Sequence, residues 1–587
     1  MPLLRRSWRA RTVPTSNSSI VRHHSRPHRH YPHALGTETG GVPVGNRVGS
    51  NPFALALGSV VLGLGGYYFG AYFGPRSNAP FPSHVIESLP SKPVYGSPED
   101  FSHAIEELKS LFSEGTVTTA QDQLEAHGFS PNAHHPGCPH SVVVYPDSTE
   151  DVVKVVHVAR KYRMPIIPYS GGTSLEGHFS GWKGGGICVD MSGMDKIIAI
   201  HQEDSDLVCQ PGVGWMEINE TLKEKGIPLF FPLDPGPTAT VGGMLSTGCS
   251  GTNAVRYGTA KGEWFLNATV VLPSGEVIKT RRRSRKSSAG FDTTKLFIGA
   301  EGTLGIITEV TIRLAPVIPT TVATARFPNV RKASEAVIQI LNTGIGVQCI
   351  ELVDAAFMRA TVTAGNPARK YDIADHLFFK LQGATPSALS ESVEVVKEIV
   401  KTHGGDKFYP AKTQEEAEAM WADRKNGLYS SLAYAGEGAK VWSTDVCVPI
   451  SKLPQLVYET QHDIEHSGIL YSIVGHAGDG NFHTILTFKT DEELNTVRGL
   501  VHRMVERSLA LDGTCTGEHG VGIGKKAFLT EELGVGTVAL MKTIKRAIDP
   551  LGIMNPGKTT IPYPTLEDSR TSVPGSELFL NRLNDQT

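Results

Sequence analysis

Met164-Pro-Ile-Ile-Pro-Tyr-Ser-Gly-Gly-Thr-Ser-Leu-Glu-Gly-His178 is the stretch on which the fold turns. Met164–Pro168 is a short apolar run carrying prolines, the pattern of a buried strand. It passes directly into Tyr169–His178, a loop rich in glycine and hydroxyl residues. Side chains that small let successive backbone N–H groups converge on a pyrophosphate. The loop is not a G-x-G-x-x-G run opening a helix, so a Rossmann fold is not indicated. Upstream, Ser141–Tyr145 reads as a strand, and Ser148 or Thr149 caps a helix. Downstream come further runs of small residues: Asp234-Pro235-Gly236-Pro237, Thr240-Val-Gly242-Gly243-Met244, Ser246-Thr-Gly-Cys-Ser250-Gly-Thr-Asn253, and Leu296-Phe-Ile-Gly-Ala-Glu301-Gly-Thr-Leu-Gly305-Ile-Ile307. Between them, Val270–Thr280 reads as a hairpin turning at Pro273-Ser274-Gly275.

A second stretch carries the polar chemistry. Gly475-His476-Ala-Gly-Asp-Gly-Asn-Phe-His483 is flanked by two β-prone runs, Ser472-Ile-Val474 and Thr484-Ile-Leu486. Asp479-Gly480 suits a two-residue type I′ turn, in which both central residues need φ > 0. That turn sets Gly478 opposite Asn481, Ala477 opposite Phe482 and His476 opposite His483. Opposed residues share a face with Cβ atoms about 4.5–5.5 Å apart, so two imidazoles there could take one divalent cation. Two solvated histidines are the plainer reading of such a pair taken alone. Gly517-Glu518-His519-Gly520 shifts the balance by offering a carboxylate and a third imidazole between glycines. His476, His483 and Glu518 form a three-ligand set with an open position, suited to zinc or manganese. His519 is left for proton transfer.

The chain has 587 residues, enough for two to four domains, and a net charge of −3, which points to no nucleic-acid partner. Seven scattered cysteines without a C-x-x-C argue against a disulfide scaffold or zinc ribbon. Residues 1–37 hold seven Arg and no acid, the composition of a mitochondrial presequence, expected over 1–50. Phe53–Gly74 is uncharged and long enough to span a bilayer, with Gly66 and Gly70 spaced for close helix packing. Charge bias keeps its N-terminal side on the matrix side, which implies contact with inner-membrane lipid. Residues 75–135 read as a linker followed by a helix. Ser97 caps that helix, Pro98 opens it, and Phe101, Ile105, Leu108, Leu111 and Phe112 share its apolar face.

Together these runs resemble the FAD-binding domain of the vanillyl-alcohol oxidase/PCMH flavoprotein superfamily. With the stretches around His476 and His519 added, the resemblance narrows to the FAD-linked 2-hydroxy-acid dehydrogenases and covers about 100–560. It implies an α+β chain: a PCMH-type FAD-binding domain over 136–318, an α+β cap (substrate) domain over 319–545, a return to the FAD domain over 546–563, and a tail over 564–587. It implies non-covalent FAD held by Ser170, Gly171, Gly172, Thr173, Ser174, Gly177 and His178, with His178 the residue where a covalent link would form. Asp234, Pro235, Gly236, Thr240, Gly242, Gly243, Ser250, Asn253, Glu301, Gly305 and Ile307 would line the rest, with Asn555 of the closing motif Ile548–Lys558 nearby. Trp421-Ala-Asp-Arg424-Lys425 resembles the family's W-x-x-R-K, whose Arg clamps a substrate carboxylate, a task suited to a planar guanidinium. Lys440 is a weaker substrate-side candidate.

The activity implied is oxidation of a D-2-hydroxy acid, D-lactate favoured, with electrons passed to cytochrome c in the intermembrane space. D-2-hydroxyglutarate or glycolate is the alternative substrate. The basic run Arg281-Arg-Arg-Ser-Arg-Lys286 is expected at a solvated edge, before a Ser-Ser-Ala-Gly stretch that the family holds near the flavin. Its sign is wrong for docking a basic cytochrome. A metal hydrolase would have no use for the glycine runs, and an inactive scaffold no use for Glu518-His519.

Overall fold

The computed structural model describes residues 93–130 and 133–559. The basic leader, the apolar run 53–74 and the tail after 563 lie outside the described residues. Among the described residues no helix is long and apolar enough to cross a membrane.

Pro98–Leu111 is the first helix. The Ser97 side chain accepts from the Asp100 N–H while the Asp100 carboxylate accepts from Ser97, and Pro98 holds the first position. A cap of this kind contributes about 1 kcal/mol. Phe101, Ala104 and Leu108 are buried, but Leu111 is not, contrary to the apolar-face reading. The helix ends there, and the extended Phe112 turns onto the core in its place.

The half expected to bind FAD is built on two main sheets. The first runs Val117–Thr118, Val142–Val144, Ile187–Asp190, Ile166–Tyr169, with its last three strands parallel. The crossover helix Thr149–Lys161 is capped by Ser148 and buries Val152, Val155, Val156 and Ala159. The second sheet is antiparallel: Ile197–His201, Asp206–Cys209, Ile306–Arg313, Phe265–Val271, Val277–Lys279. Val271 pairs with Val277 around the expected turn.

The cap half is an eight-stranded sheet. Its path is Asp406–Pro410, Thr320–Phe327, Asp375–Gln382, Val347–Val353, Tyr471–His476, Asn481–Phe488, Lys440–Ser443, with Val446–Cys447 also pairing to Asn481–Phe488. Strand alternation sends Ile350, Phe379, Ile473 and Phe482 to one side, where Val330–Asn342, Pro386–Thr402 and Leu453–Ser467 cover them. The other side receives Cys349, Phe378, Val474 and Ile485 with Phe357, Met420 and Trp421.

The hairpin differs from its expected register. His476 pairs with Asn481, and His483 pairs with Val474. The loop is therefore four residues, Ala477–Gly480, closed by the Asp479 N–H on the His476 carbonyl at 2.9 Å. The cause is long-range. Val446 and Cys447 pair with Phe482 and Asn481, and the Val448 N–H donates to the Gly480 carbonyl at 3.0 Å. A Cβ on Gly480 would lie 2.0 Å from the Val448 carbonyl oxygen, and its φ is +75°. The slip is two residues, so both histidines keep one face.

After the cap, the helix Leu529–Ile548 kinks at Gly534 and lays Ile544 and Ile548 on the FAD-half core. Ile553–Asn555 then runs beside Ile166, bonded through the Ile553 carbonyl and the Asn555 N–H, each at 2.8 Å.

Candidate active site

A cavity of about 500 Å³ lies between the two halves. Its FAD-half wall is made by Ser170, Gly171, Gly172, Thr173, Ser174 and His178, by Asp234, Pro235 and Gly236, by Thr240, Gly242 and Gly243, by Glu301, Gly305 and Ile307, and by Asn555. Gly172 sits at φ +63°, and a Cβ there would fall 2.4 Å from the Tyr169 hydroxyl. Three expected residues do not line this wall. Gly177 packs under Ile523. Ser250 and Asn253 give way to Gly251 and Thr252, which do line it. Asn253 is committed elsewhere: its N–H donates to Asp234 at 3.0 Å, its amide N–H to the Pro232 carbonyl at 2.9 Å, and its amide oxygen accepts from Gln348 at 2.9 Å.

The basic run is at an edge, with Arg283 paired to Asp204 and Asp206 at 2.7 Å each. Ser287–Phe291 is exposed and lines no part of the cavity, unlike the position expected from the resemblance.

The opposite wall carries Arg424, His476, His483, Glu518 and His519. Nε2 of His476 and Nε2 of His483 both lie 3.1 Å from the same oxygen of Glu518. Their other nitrogens are committed: Nδ1 of His476 faces Glu351 at 3.0 Å, and Nδ1 of His483 faces the Thr444 carbonyl at 2.8 Å. An outer partner of this kind fixes the tautomer and orientation of a metal-binding imidazole. The three inward atoms could hold one divalent ion. Asp445, His483 and His519 form a second grouping with ligand spacing. Asp445 is already subscribed, however. One of its oxygens accepts from the N–H groups of Glu518 and His519 at 2.9 and 2.8 Å and from the Thr516 hydroxyl at 2.9 Å, and lies 3.3 Å from Lys525. The other accepts from Asn481 at 2.8 Å.

The charges follow from these neighbours. Burial works against a charged His476, but Glu351 and Glu518 on either side overcome it and lift its pKa well above the usual value. Burial likewise opposes a charged Glu518, yet the two histidines hold its carboxyl below its usual range. Burial pushes His519 down to about 4, with His483 and Lys525 adding to it against the pull of Asp445. His519 stacks on His483 at 5.0 Å, and its Nδ1 has no hydrogen-bond partner among the described residues.

Arg424 is buried against the cavity at the end of the helix Gln414–Lys425. It bonds Glu351 through Nη2, while its Nε has no partner among the described residues. Lys440 is exposed at the start of its strand and does not line the cavity. The sequence reading missed Glu351 and Asp445. The available signal was a charged residue inside an otherwise buried strand for Glu351, and a lone acid between two short strands for Asp445. It also missed the buried Lys525, set 3.3 Å from both Glu176 and Asp445. Glu301 lines the cavity as expected, but its carboxylate accepts from the Val521 and Gly522 N–H groups at 2.7 and 2.9 Å. It thereby ties the loop bearing Glu518 and His519 to the FAD half.

Residues 140–281 match the family described as FAD binding domain, and residues 319–559 match FAD linked oxidases, C-terminal domain. Among curated proteins, the chain is 43% identical to D-lactate dehydrogenase [cytochrome], mitochondrial, of Arabidopsis thaliana, over 78% of this chain and 80% of that one. The chain belongs to the FAD-linked oxidases. This oxidase is also 40% identical to the Kluyveromyces lactis protein of the same name, over 87% of this chain and 90% of that one. Its fold matches that of 4-ethylphenol oxidase from Gulosibacter chungangensis, with a TM-score of 0.65 at 19% identity, over 80% of this chain and 99% of that one. The FAD-binding domain makes it a flavoprotein.

Proposed function

We propose that this enzyme oxidises D-lactate to pyruvate and passes the electrons to cytochrome c. The observation that carries the reading is one cavity with a glycine-lined wall facing Arg424 and His519. FAD fits the first wall, where backbone rather than side chain meets the ligand at Gly171 and Gly172; it supplies the acceptor for the hydride leaving Cα. A divalent ion, zinc or manganese, would be held by His476, His483 and Glu518, because both Nε2 atoms converge on one Glu518 oxygen; its binding would displace the His476 proton, and it would supply Lewis-acid help in acidifying the substrate hydroxyl. Arg424 takes the substrate carboxylate through the donors that Glu351 leaves open. His519 accepts the hydroxyl proton. Asp445 holds the backbone of Glu518 and His519, which keeps base and ligand in fixed relation.

Substrate size follows from charge. Among the described residues lining the cavity, the Lys and Arg side chains are Arg424 and Lys425, and Lys425 is paired with Asp234 at 3.0 Å. A second substrate carboxylate therefore has no free cation to meet, whereas a methyl group can face Leu428 and Val474. A panel of D-2-hydroxy acids on purified protein with a dye acceptor tests the reading. D-lactate should exceed D-2-hydroxyglutarate in kcat/KM by at least about tenfold, the effect of one unmet charged hydrogen bond. Equal values would overturn the preference.

The Arg-rich leader, the apolar run 53–74 and the mitochondrial names of the relatives support a mitochondrial enzyme, anchored in the inner membrane with its catalytic part in the intermembrane space. Protease added to mitochondria with ruptured outer membranes should degrade that part. Protection under those conditions would reverse the topology.

A further inference from the structure

Val347–Val353 is buried along its whole length, yet it contains Glu351, which is 0% exposed. Glu351 stands directly opposite His476 in the sheet. Both of its oxygens lie 3.0 Å from Nδ1 of His476, and one also bonds Nη2 of Arg424. A carboxylate removed from water is tolerated when paired and hydrogen-bonded. Its partners here are the guanidinium assigned to the substrate carboxylate and an imidazole assigned to the cation. Arg424 is thus half committed: Nη2 is held by Glu351, and Nε is left in a buried place without a partner among the described residues.

We propose that Glu351 is a positioning residue that couples substrate recognition to cation binding, because one carboxylate fixes both Arg424 and His476. The proposal rests on the roles given to those two residues above. Its physical content is that the clamp and the ligand cannot be adjusted independently. The sheet sets Glu351 against His476, and the carboxylate then dictates where the planar guanidinium lies. A change in either the reach or the charge of residue 351 must disturb both.

Two substitutions separate this from a bland role. Glu351→Gln keeps the reach and removes the charge, and its amide cannot accept from His476 and Arg424 together without turning N–H toward one of them. Glu351→Asp keeps the charge and shortens the reach by one methylene. A residue needed for space alone tolerates Gln, and one needed for charge alone tolerates Asp. Both variants should raise KM for D-lactate about tenfold, as expected for a disturbed charged hydrogen bond. Both should also weaken Mn²⁺ binding to the chelator-treated holoenzyme by about 10–100-fold, the range for a lost outer partner of a ligand. Flavin absorbance per protein should stay at the parent value.

Parent-like KM and Mn²⁺ affinity in either variant would overturn the proposal, as would movement of only one of the two constants in both. Loss of flavin from both variants would assign Glu351 to the fold instead, and would overturn it too. A parent enzyme that is fully active without any cation would sink the metal reading separately. The coupling would fall with it, whereas parent-like constants in the variants of a cation-dependent parent would end the coupling alone.

Discussion

His519→Asn should lower turnover of D-lactate by about 10²–10⁴-fold, the usual range for a lost acid–base group, and leave flavin and the proposed cation in place. Three features of the site converge on this residue. Its backbone N–H is fixed by Asp445 at 2.8 Å, so the ring has a defined origin. Its ring lies nearly parallel to that of His483, 5.0 Å away at an interplanar angle of 15°, which keeps it beside the proposed ligands. Its Nδ1 has no hydrogen-bond partner among the described residues.

The electrostatics agree. Burial pushes His519 down to about 4, so the imidazole is in its neutral, proton-accepting form at ordinary pH, at a cost in basicity. Asparagine roughly preserves volume and polarity but cannot accept a proton at neutral pH. His476→Ala is the contrasting variant, because it removes a proposed ligand and should lose cation and activity together. Parent-rate oxidation of D-lactate by His519→Asn would place the base elsewhere.

Gly172→Asp should strip most of the flavin from the enzyme, read as absorbance in the flavin band per protein. Three costs add at this position. The backbone is at φ +63°, where an L side chain costs roughly 1–2 kcal/mol. A Cβ would stand 2.4 Å from the Tyr169 hydroxyl, so the Tyr169 side chain or the loop must shift. The added carboxylate would then lie on the wall assigned to a pyrophosphate, where like charges repel. A turn glycine elsewhere offers the control. Gly226 is also at positive φ, with nothing within 4 Å of the place a Cβ would take, and it lies off the cavity wall. Gly226→Asp carries the backbone cost without the clash, and should keep its flavin. Full flavin content in Gly172→Asp would remove the 170–178 loop from the binding site.

Local sequence determined the pieces. The caps at Ser97 and Ser148 are short-range contacts between residues three apart, so their geometry is written in the order of the side chains. The glycine runs after Tyr169 and around Gly242 needed no partner to be legible, because small size is itself the property that brings backbone to a ligand. The common face of His476 and His483 was also legible, since strand periodicity survives a two-residue slip. What the sequence left open was every contact made across long separations. Glu351 and His476 are 125 residues apart, and Arg424 is 73 from Glu351. The turn preference of Asp479-Gly480 yielded to Val446–Val448, whose pairing outweighs a two-residue propensity. Lys440 was set outside the cavity, and Asp445 beneath the backbone of Glu518 and His519, by the packing of strands that only the complete sheet brings together. Propensity acts over a few residues, whereas burial and charge pairing are settled by whichever segments meet in the core.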